Sequence, residues 1–343
     1  MSETAARIPL LVDCDTGIDD SLALLYACAS PECELVAVTC SAGNVSVEQV
    51  AENTRAVLEL AGRGDVEVAV GRDRPLVRPL VTTPETHGPR GIGYAELPAA
   101  LAPLSARFGP EVIAEEARRR PGELTLVSLA PMTNIALAVQ AEPQLPALLA
   151  RLVIMGGSYR SSGNTAPTTE WNASCDPEAA KIVFDAFGAG APGGAGAPRP
   201  LALGLDVTEK AKFGPEHLAR LAARAGCSAD GSRADGSVNS IVRYVADALR
   251  FYMEFHSKYD GFYGAFIHDP LALATALDPS LVTTEAVTVD VELAGTLTAG
   301  ETVADWRHRW GRPPNVDVAV AGDAERFFER FIERVGGLAV ARG

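Results

Sequence analysis

The sequence lacks the features of several large classes of protein. It carries 30 lysine and arginine residues against 44 aspartate and glutamate residues, and at a formal charge of −14 it has no basic stripe that could bind nucleic acid. No apolar run approaches the roughly 18 residues that cross a bilayer, and the N-terminus shows no signal-peptide pattern. We therefore expect a cytoplasmic protein that binds neither nucleic acid nor a membrane.

Cysteine is also scarce. The six cysteines form no C-x-x-C pair, which disfavours both a disulfide framework and a zinc ribbon. We interpret them as reduced thiols in a core. Hydrophobic residues make up 47% of the 343 residues, which is enough to fill a large folded core.

Short apolar runs alternate with helical stretches along the chain. The predicted strands are residues 8–12, 34–39, 66–70, 124–129, 152–155 and 201–205. The predicted helices begin at capping residues or prolines, namely Asp19, Ser46, Pro110, Thr133, Asp176 and Pro215. Continuous apolar strands that alternate with helices predict an α/β fold with a single open, mostly parallel, Rossmann-like sheet and helices on both faces.

We interpret residues 1–343 as a single domain. A Gly-, Ala- and Pro-rich stretch near residues 188–200 and a Gly-, Ser- and Asp-rich stretch near residues 227–236 interrupt the alternation, and both are interpreted as loop insertions. Near the C-terminus, residues 282–291 and 296–303 predict a small β-pair. Residues 323–335 predict a closing helix that is capped by Asp323.

Four aspartates crowd the end of the first predicted strand: Asp13, Asp15, Asp19 and Asp20. Two carboxylates ~4 Å apart repel by about 4 kcal/mol at an effective dielectric constant of ~20, and a divalent cation with oxygen ligands, Ca²⁺ above all, would balance them. In an open α/β sheet, ligands bind at this end of the strands. Helix capping alone explains one or two of these aspartates but not all four.

Two other acidic motifs fit the cluster less well. An EF-hand would need a ligand where Gly17 stands and a glutamate where Leu24 stands. A phosphohydrolase of the haloacid dehalogenase type also begins with a strand and D-x-D. That class expects glycine before threonine, whereas Thr16 precedes Gly17 here, and none of the four lysines stands at the later strand end that it requires.

The segment from Asp13 to Asp20 resembles the N-terminal signature D-x-D-x-G-x-D-D of the inosine-uridine nucleoside hydrolase family. Further segments resemble that family in the same order, namely Gly43-Asn44, Thr86-His87-Gly88, Ala130-Pro131-Met132-Thr133-Asn134, Asn164, Glu170-Trp171-Asn172 and His268-Asp269-Pro270. The resemblance covers roughly residues 8 to 335. Two residues depart from the family pattern: Ala130 stands where glycine is usual, and Trp171 stands where phenylalanine is usual.

The resemblance implies a calcium-dependent enzyme that hydrolyses the N-glycosidic bond of ribonucleosides to ribose and free base. It implies that Asp15, Asp20 and Asp269 bind Ca²⁺ together with a backbone carbonyl, which we assign to Leu129. Asp15 would also act as the general base toward the attacking water, with Asn44 beside that water. The transition state would resemble an oxocarbenium ion.

The resemblance also assigns residues to the substrate. Those expected to bind the ribose are Asp19, Asn164, Glu170, Asn172 and Asp269. His268 would contact the base and protonate it as it leaves, since a histidine can hold a proton near neutral pH, and His87 would close over the base. Among the aromatics of residues 244–266, which are spaced as in a helix core, Tyr252 and Tyr259 are candidates for stacking on the base.

The resemblance implies, in addition, a homodimer or homotetramer. Two alternatives to the hydrolase are a nucleoside- or ribose-binding protein without turnover and a metal-dependent phosphohydrolase. The first keeps the pocket but returns intact nucleoside, and the second releases phosphate from a phosphomonoester.

Overall fold

The computed structural model describes residues 7–188 and 196–342. The strands in these residues are β1 (Ile8–Cys14), β2 (Cys33–Cys40), β3 (Glu67–Val70), β4 (Thr125–Ser128), β5 (Arg151–Met155), β6 (Leu201–Leu203), β7 (Lys212–Phe213), β8 (Ala265–Phe266), β9 (Val282–Val287), β10 (Val289–Val291), β11 (Thr302–Ala304) and β12 (Val316–Gly322). The helices are α1 (Ile18–Ala29), α2 (Val47–Leu60), α3 (Pro84–His87), α4 (Gly109–Arg119), α5 (Thr133–Ala141), α6 (Leu145–Leu148), α7 (Trp171–Cys175), α8 (Pro177–Ala186), α9 (Leu205–Thr208), α10 (Pro215–Arg224), α11 (Ser240–Tyr259), α12 (His268–Leu277) and α13 (Ala324–Arg342).

Within the described residues, eight strands form the central sheet in the order β3-β2-β1-β4-β5-β6-β12-β9. Neighbouring strands are parallel except at one edge, where β9 runs antiparallel to β12. The strand order reverses between β1 and β4, and such a point opens a crevice at the carboxyl ends of the two strands. The prediction of an open, mostly parallel, Rossmann-like sheet is confirmed.

Both faces of the sheet are buried under helices. Leu10 and Val12 of β1 belong to one hydrophobic cluster and Leu11 between them belongs to the other, as expected because successive side chains of a strand point to opposite faces. The first cluster includes residues of α1, α2 and α12, and the second includes residues of α4, α5 and α8. Burial on both faces explains why the strands are continuous apolar runs.

The predicted elements agree well with the observed ones in the first two thirds of the chain. Each of the six predicted strands overlaps one of β1 to β6, although β6 ends at Leu203 because α9 begins at Leu205. Ser46 and Asp176 are the N-cap residues of α2 and α8, and their side chains accept backbone N–H groups of the first helical turns. The six cysteines are free, as interpreted from the sequence.

The C-terminal prediction is only partly correct. A small β-pair exists, but it joins β10 to β11, whereas β9 pairs with β12 in the central sheet. Residues 296–301 contain no strand, and β12 itself was not predicted. Asp323 accepts the backbone N–H of Arg326 at 3.1 Å at the start of α13, which continues to Arg342, beyond the predicted end.

The two predicted insertions fall between α8 and β6 and between α10 and α11. Residues 189–195 of the first predicted insertion lie outside the described residues, and residues 227–236 hold no helix and only an isolated bridge from Ser232 to Val238. The insertions and the single domain stay predictions. In the part of the chain that the structure describes, no helix combines the length and the apolar character needed to cross a membrane.

Candidate active site

One cavity of about 590 Å³ lies at the carboxyl edge of the sheet, where the strand order reverses. What we call the carboxylate end of this cavity is formed by Asp15, Asp19, Asn44, Glu170, Asn172 and Asp269. What we call the aromatic end is formed by His87, Tyr252, Phe255, His256, Phe266 and His268. All the site residues predicted from sequence line the cavity except Asp20, which is fully buried beside it.

Asp20 shapes the loop between β1 and α1. Its carboxylate accepts the backbone N–H of Asp15 at 3.1 Å and that of Gly17 at 2.9 Å, which turns the loop back onto the start of the helix. Gly17 allows close approach, because a Cβ there would lie 2.6 Å from Nδ2 of Asn44 and 2.7 Å from Nδ1 of His87. A side chain at this position would therefore displace residues of both ends of the cavity.

The carboxylates of Asp19, Asp20 and Asp269 offer oxygen atoms that lie within 4.8 Å of one another. Burial, followed by the charge of Asp20, raises the pKa of Asp19 to about 8. Burial and neighbouring aspartates likewise raise the pKa of Asp15 and of Asp269. Carboxylates whose charged neighbours are other carboxylates are costly to bury unless a cation joins them.

The remaining polar atoms at this end also suit a cation and a water. The backbone N–H of Asn44 donates to Oδ2 of Asp15 at 2.8 Å, while Oδ1 of Asn44 is buried without a hydrogen-bond partner among the described residues. Leu129 lines the cavity, and its carbonyl accepts Nδ2 of Asn172 at 2.8 Å. Ca²⁺ prefers sites in which every ligand is an oxygen atom.

Asp13 lies below the cavity and does not line it. Its Oδ1 accepts Oγ1 of Thr39 at 2.6 Å and Nδ2 of Asn134 at 2.8 Å, and burial raises the pKa of Asp13 to about 7. Asn134 also donates to the carbonyl of Cys40 at 3.0 Å. Asp13 thus ties β1 to β2 and α5 under the site.

Two of the residues predicted to bind ribose, Glu170 and Asn172, are held in place by hydrogen bonds to backbone groups. Glu170 caps α7 by accepting the N–H groups of Asn172 at 2.8 Å and Ala173 at 3.0 Å, and it also accepts that of Gly157 at 2.8 Å. The amide of Asn172 donates to the carbonyls of Leu129 and Met155, which leaves its Oδ1 for other partners. Both side chains are therefore fixed before a ligand arrives.

Asn164 differs from these two residues because it is exposed on a loop at the rim of the cavity. Its Oδ1 accepts the backbone N–H of Trp171 at 3.0 Å. Trp171 also lines the cavity, and its Nε1 is buried without a hydrogen-bond partner among the described residues.

His87 and His268 are both buried at the aromatic end. Nδ1 of His87 accepts the backbone N–H of Ile18 at 3.1 Å, and Nδ1 of His268 lies 2.8 Å from Oγ1 of Thr208. Burial, with smaller effects of neighbouring histidines, lowers the pKa of each ring to about 3. This differs from the expectation that His268 holds a proton near neutral pH, because the sequence did not reveal that the ring is buried, which is the main cause of the lowered pKa.

The rings of the aromatic end follow one another along the cavity wall. Ring centroids are 5.4 Å apart for His87 and Tyr252, 4.6 Å for Tyr252 and His256, 4.7 Å for His256 and Phe266, and 5.8 Å for Phe266 and His268. Of the two predicted stacking tyrosines, Tyr252 is buried and Tyr259 is exposed, and both line the cavity.

Several cavity residues were not predicted from the sequence, namely Glu209, Phe255, His256, Asp260 and Phe266. A signal for two of them was present. Tyr252, His256 and Asp260 are spaced by four residues, so they share one face in and just beyond α11. Because Tyr252 was already a candidate for stacking on the base, the same helical spacing could have identified His256 and Asp260 as cavity residues.

Comparisons with known proteins give a consistent result. A family model described as inosine-uridine preferring nucleoside hydrolase matches residues 10–329. The pyrimidine-specific ribonucleoside hydrolase RihA of Salmonella newport (strain SL254) is 38% identical over 330 residues, which are 96% of this chain and 98% of that protein.

Solved structures are similar over the same length. The purine-preferring ribonucleoside hydrolase from Gardnerella vaginalis has a TM-score of 0.86 and 31% identity, with 97% of this chain and 99% of that chain covered. The plant nucleoside hydrolase PpNRh1 has a TM-score of 0.83 and 30% identity, with 96% of this chain and 98% of that chain covered.

Proposed function

This chain belongs to the inosine-uridine preferring nucleoside hydrolase family and is a hydrolase of the N-glycosidic bond of nucleosides, and we propose that it acts on pyrimidine ribonucleosides with Ca²⁺ at its buried aspartates. The choice of base is supported by 38% identity with a relative named pyrimidine-specific, against 31% with a neighbour named purine-preferring.

The observation that carries the proposal is the group of buried carboxylates whose charged neighbours are other aspartates. The proposed ligands are the side chains of Asp15, Asp20 and Asp269 and the carbonyl of Leu129. A bound Ca²⁺ would neutralise these carboxylates and lower the pKa of a water that it coordinates. The donor set fits such an ion because every donor is an oxygen.

Asp15 is the proposed general base. It takes a proton from the water whose oxygen forms the new bond to C1′ of the ribose. The N–H of Asn44 fixes the Asp15 carboxylate at 2.8 Å, and the unpartnered Oδ1 of Asn44 can accept a hydrogen bond from the same water. The base and the water are thereby held in one arrangement before the bond to the nucleobase breaks.

The ribose is proposed to bind to residues that accept hydrogen bonds from its hydroxyls, namely Asp19, Asn164, Glu170, Asn172 and Asp269. Positive charge grows on the sugar in the oxocarbenium-like transition state. Negatively charged acceptors bind that state more strongly than the ground state, and this difference is what accelerates the reaction.

His268 is proposed to assist the leaving base. As the bond from C1′ to the base nitrogen breaks, its electron pair stays on the base, which then needs a proton or a hydrogen bond. A neutral ring can supply this through Nε2–H when the hydroxyl of Thr208, which lies 2.8 Å from Nδ1, turns from the Gly204 carbonyl at 3.2 Å and donates to Nδ1. His87, with Nδ1 engaged by Ile18, carries its proton on Nε2 and is proposed to donate to the base from α3.

The test is release of free ribose from uridine, cytidine and inosine by the purified chain. We expect reducing sugar with the pyrimidine nucleosides, its loss with a chelator, and recovery when Ca²⁺ is added back. Ca²⁺ should also raise the melting temperature, because an ion at 100 times its Kd stabilises the folded state by about 2.7 kcal/mol. Release from inosine alone would refute the pyrimidine preference.

Other outcomes distinguish the alternatives. Calcium-dependent binding with intact nucleoside recovered would identify a binding protein without turnover. Phosphate release from a phosphomonoester with Mg²⁺ would identify a phosphohydrolase. A homodimer or homotetramer stays a prediction that light scattering would test, and the cytoplasmic location stays a prediction as well.

A further inference from the structure

A histidine and a carboxylate lie one helical turn apart at the aromatic end of the cavity. Nδ1 of His256 is 2.7 Å from Oδ2 of Asp260. The His256 side chain is 5% exposed and that of Asp260 is 43% exposed, and both residues line the cavity. The pair therefore connects a buried ring on the cavity wall to a carboxylate that reaches solvent.

The hydrogen bond to Asp260 determines where the ring proton of His256 lies. A carboxylate only accepts hydrogen bonds, so Nδ1 must carry the proton. Burial lowers the pKa of His256 even though Asp260 raises it, and the ring is neutral at pH 7. A neutral ring with its proton on Nδ1 presents a lone pair at Nε2.

Nε2 of His256 is buried and has no hydrogen-bond partner among the described residues. A buried acceptor without a partner is rare and costs free energy unless a ligand or water completes it. None of the rings packed around His256 donates to Nε2: Tyr252, Phe255, Phe262 and Phe266 lie with centroids 4.6, 5.3, 5.5 and 4.7 Å away.

Charged and titratable groups face this pair from several elements. His87 of α3 and His268 of α12 interact electrostatically with His256. Glu209, after α9, interacts in the same way with Asp260, and Nζ of Lys212 in β7 lies 4.7 Å from the ring of Phe262. None of these groups bonds to Nε2 of His256 in the described structure.

We propose that Nε2 of His256, oriented by Asp260, accepts a hydrogen bond from an N–H group on the nucleobase, such as N3–H of uracil. This inference rests on the proposed function, which supplies the nucleoside. Tyr252 contacts both His256 and His87, and His87 carries its ring proton on Nε2. The aromatic end thus presents one acceptor and one donor, which match the adjacent N–H and carbonyl groups of uracil.

The first test compares uridine with N3-methyluridine, which differs in having a methyl group in place of the N–H. We expect the wild-type kcat/KM for uridine to be about 10- to 100-fold higher, and His256→Ala to lower this ratio strongly. The ratio is measured on one preparation, so a loss of folded protein cancels. A wild type without preference, or a variant with the wild-type ratio, would overturn the proposal.

Asp260→Ala tests the positioning role of the carboxylate. It should lower the same ratio, mainly through KM for uridine, because the ring is no longer held with its proton on Nδ1. An unchanged ratio would show that Asp260 does not orient His256. His217→Gln is the matched control, because Nδ1 of His217 also lies near a carboxylate, 3.2 Å from Glu216, but outside the cavity. It should keep the wild-type ratio.

The state of the ring is measured without any substrate. In protein labelled with ¹⁵N-histidine, we expect a protonated Nδ1 and a bare Nε2 for His256 at pH 7, assigned by its absence in His256→Ala. A protonated Nε2 would overturn the proposal. If ribose is released but the ratio of the two kcat/KM values does not depend on His256, this inference fails while the proposed function stands. If no nucleoside is hydrolysed, the proposed function fails, and the spectrum still reports on Nε2.

Discussion

The two ends of the cavity are built in different ways. The carboxylate end follows the sheet directly: the ladder continues past the strand ends, with the N–H of Leu129 bonded to the carbonyl of Asp13 at 2.8 Å and that of Ser41 bonded to Cys14 at 2.9 Å. The aromatic end consists mainly of side chains on α3 and α11, which lie outside the sheet. Main-chain hydrogen bonds hold the strand ends at the carboxylate end, whereas the aromatic end combines packing of rings with a main-chain hydrogen bond to His87.

We interpret this difference as a separation between the proposed chemistry on ribose and water and the proposed recognition of the base. Groups that act on the ribose and the water need positions that the sheet fixes, whereas groups that select a base can change on helices and loops without disturbing it. The relatives fit this division, since one named pyrimidine-specific and one named purine-preferring both match almost the full length of this chain. Three substitutions and one control substitution probe the two ends and the boundary between them.

The largest effect is expected at the carboxylate end. Asp15→Asn removes the proposed base while keeping the side chain's shape, and we expect kcat to fall by about 1,000-fold or more. Release of ribose from uridine measures the loss, and thermal unfolding checks the fold. A kcat like that of the wild type would refute Asp15 as the base.

Asp13→Asn is the matched control for Asp15→Asn. Its Oδ1 can keep the hydrogen bonds from Thr39 and Asn134, and the residue does not line the cavity. We therefore expect kcat to stay close to that of the wild type. A loss as large as that of Asp15→Asn would show that the negative charge of Asp13, beneath the cavity, is also needed for turnover.

A smaller effect that depends on the substrate is expected at the aromatic end. His268→Ala should lower kcat/KM for uridine by about 100-fold or more, because the leaving base loses its proposed donor. It should affect nitrophenyl riboside much less, since a good leaving group needs no proton. Equal losses on the two substrates would assign His268 to binding and not to departure of the base.

The smallest effect is expected at Trp171, which stands where phenylalanine is usual in the family. Trp171→Phe removes an N–H that has no partner among the described residues, so the lost side chain gives up no hydrogen bond. We expect KM to change by less than about tenfold. A change shared by all nucleosides would place Trp171 with the carboxylate end, and a change that differs between bases would place it with the aromatic end.

The same division explains what the sequence could predict. The aspartates from Asp13 to Asp20 are local in the chain and follow a strand with a clear apolar pattern, so their place at the sheet edge could be inferred. Asp269 is remote in sequence, and only the family resemblance connected it to them. His256 was missed because aromatic residues at helical spacing also describe an ordinary core.

Other errors arose where a property depends on distant partners. The alternation in β9 and β10 predicts strands but not that β9 pairs with β12, because a strand's partner is not encoded locally. The lowered pKa of His268 depends on burial beside His87 and His256, which are far apart in the chain. Local patterns thus identified the elements, and the tertiary fold decided their partners and charge states.

Gly17 couples the position of α3 to the loops at the carboxyl edge of the sheet. Its missing side chain lets α3 contact the loop between β1 and α1 directly, where the N–H of Ile18 donates to Nδ1 of His87 at 3.1 Å. The N–H of Thr83, just before α3, donates to the carbonyl of Asn44 at 3.1 Å. These two bonds tie α3 and the residue before it to two loops, the one after β1 and the one after β2, and the second of these carries Asn44, which is proposed to lie beside the attacking water. Outward movement of α3 would strain both hydrogen bonds. Release of a base past α3 would therefore also weaken the contact between Thr83 and Asn44.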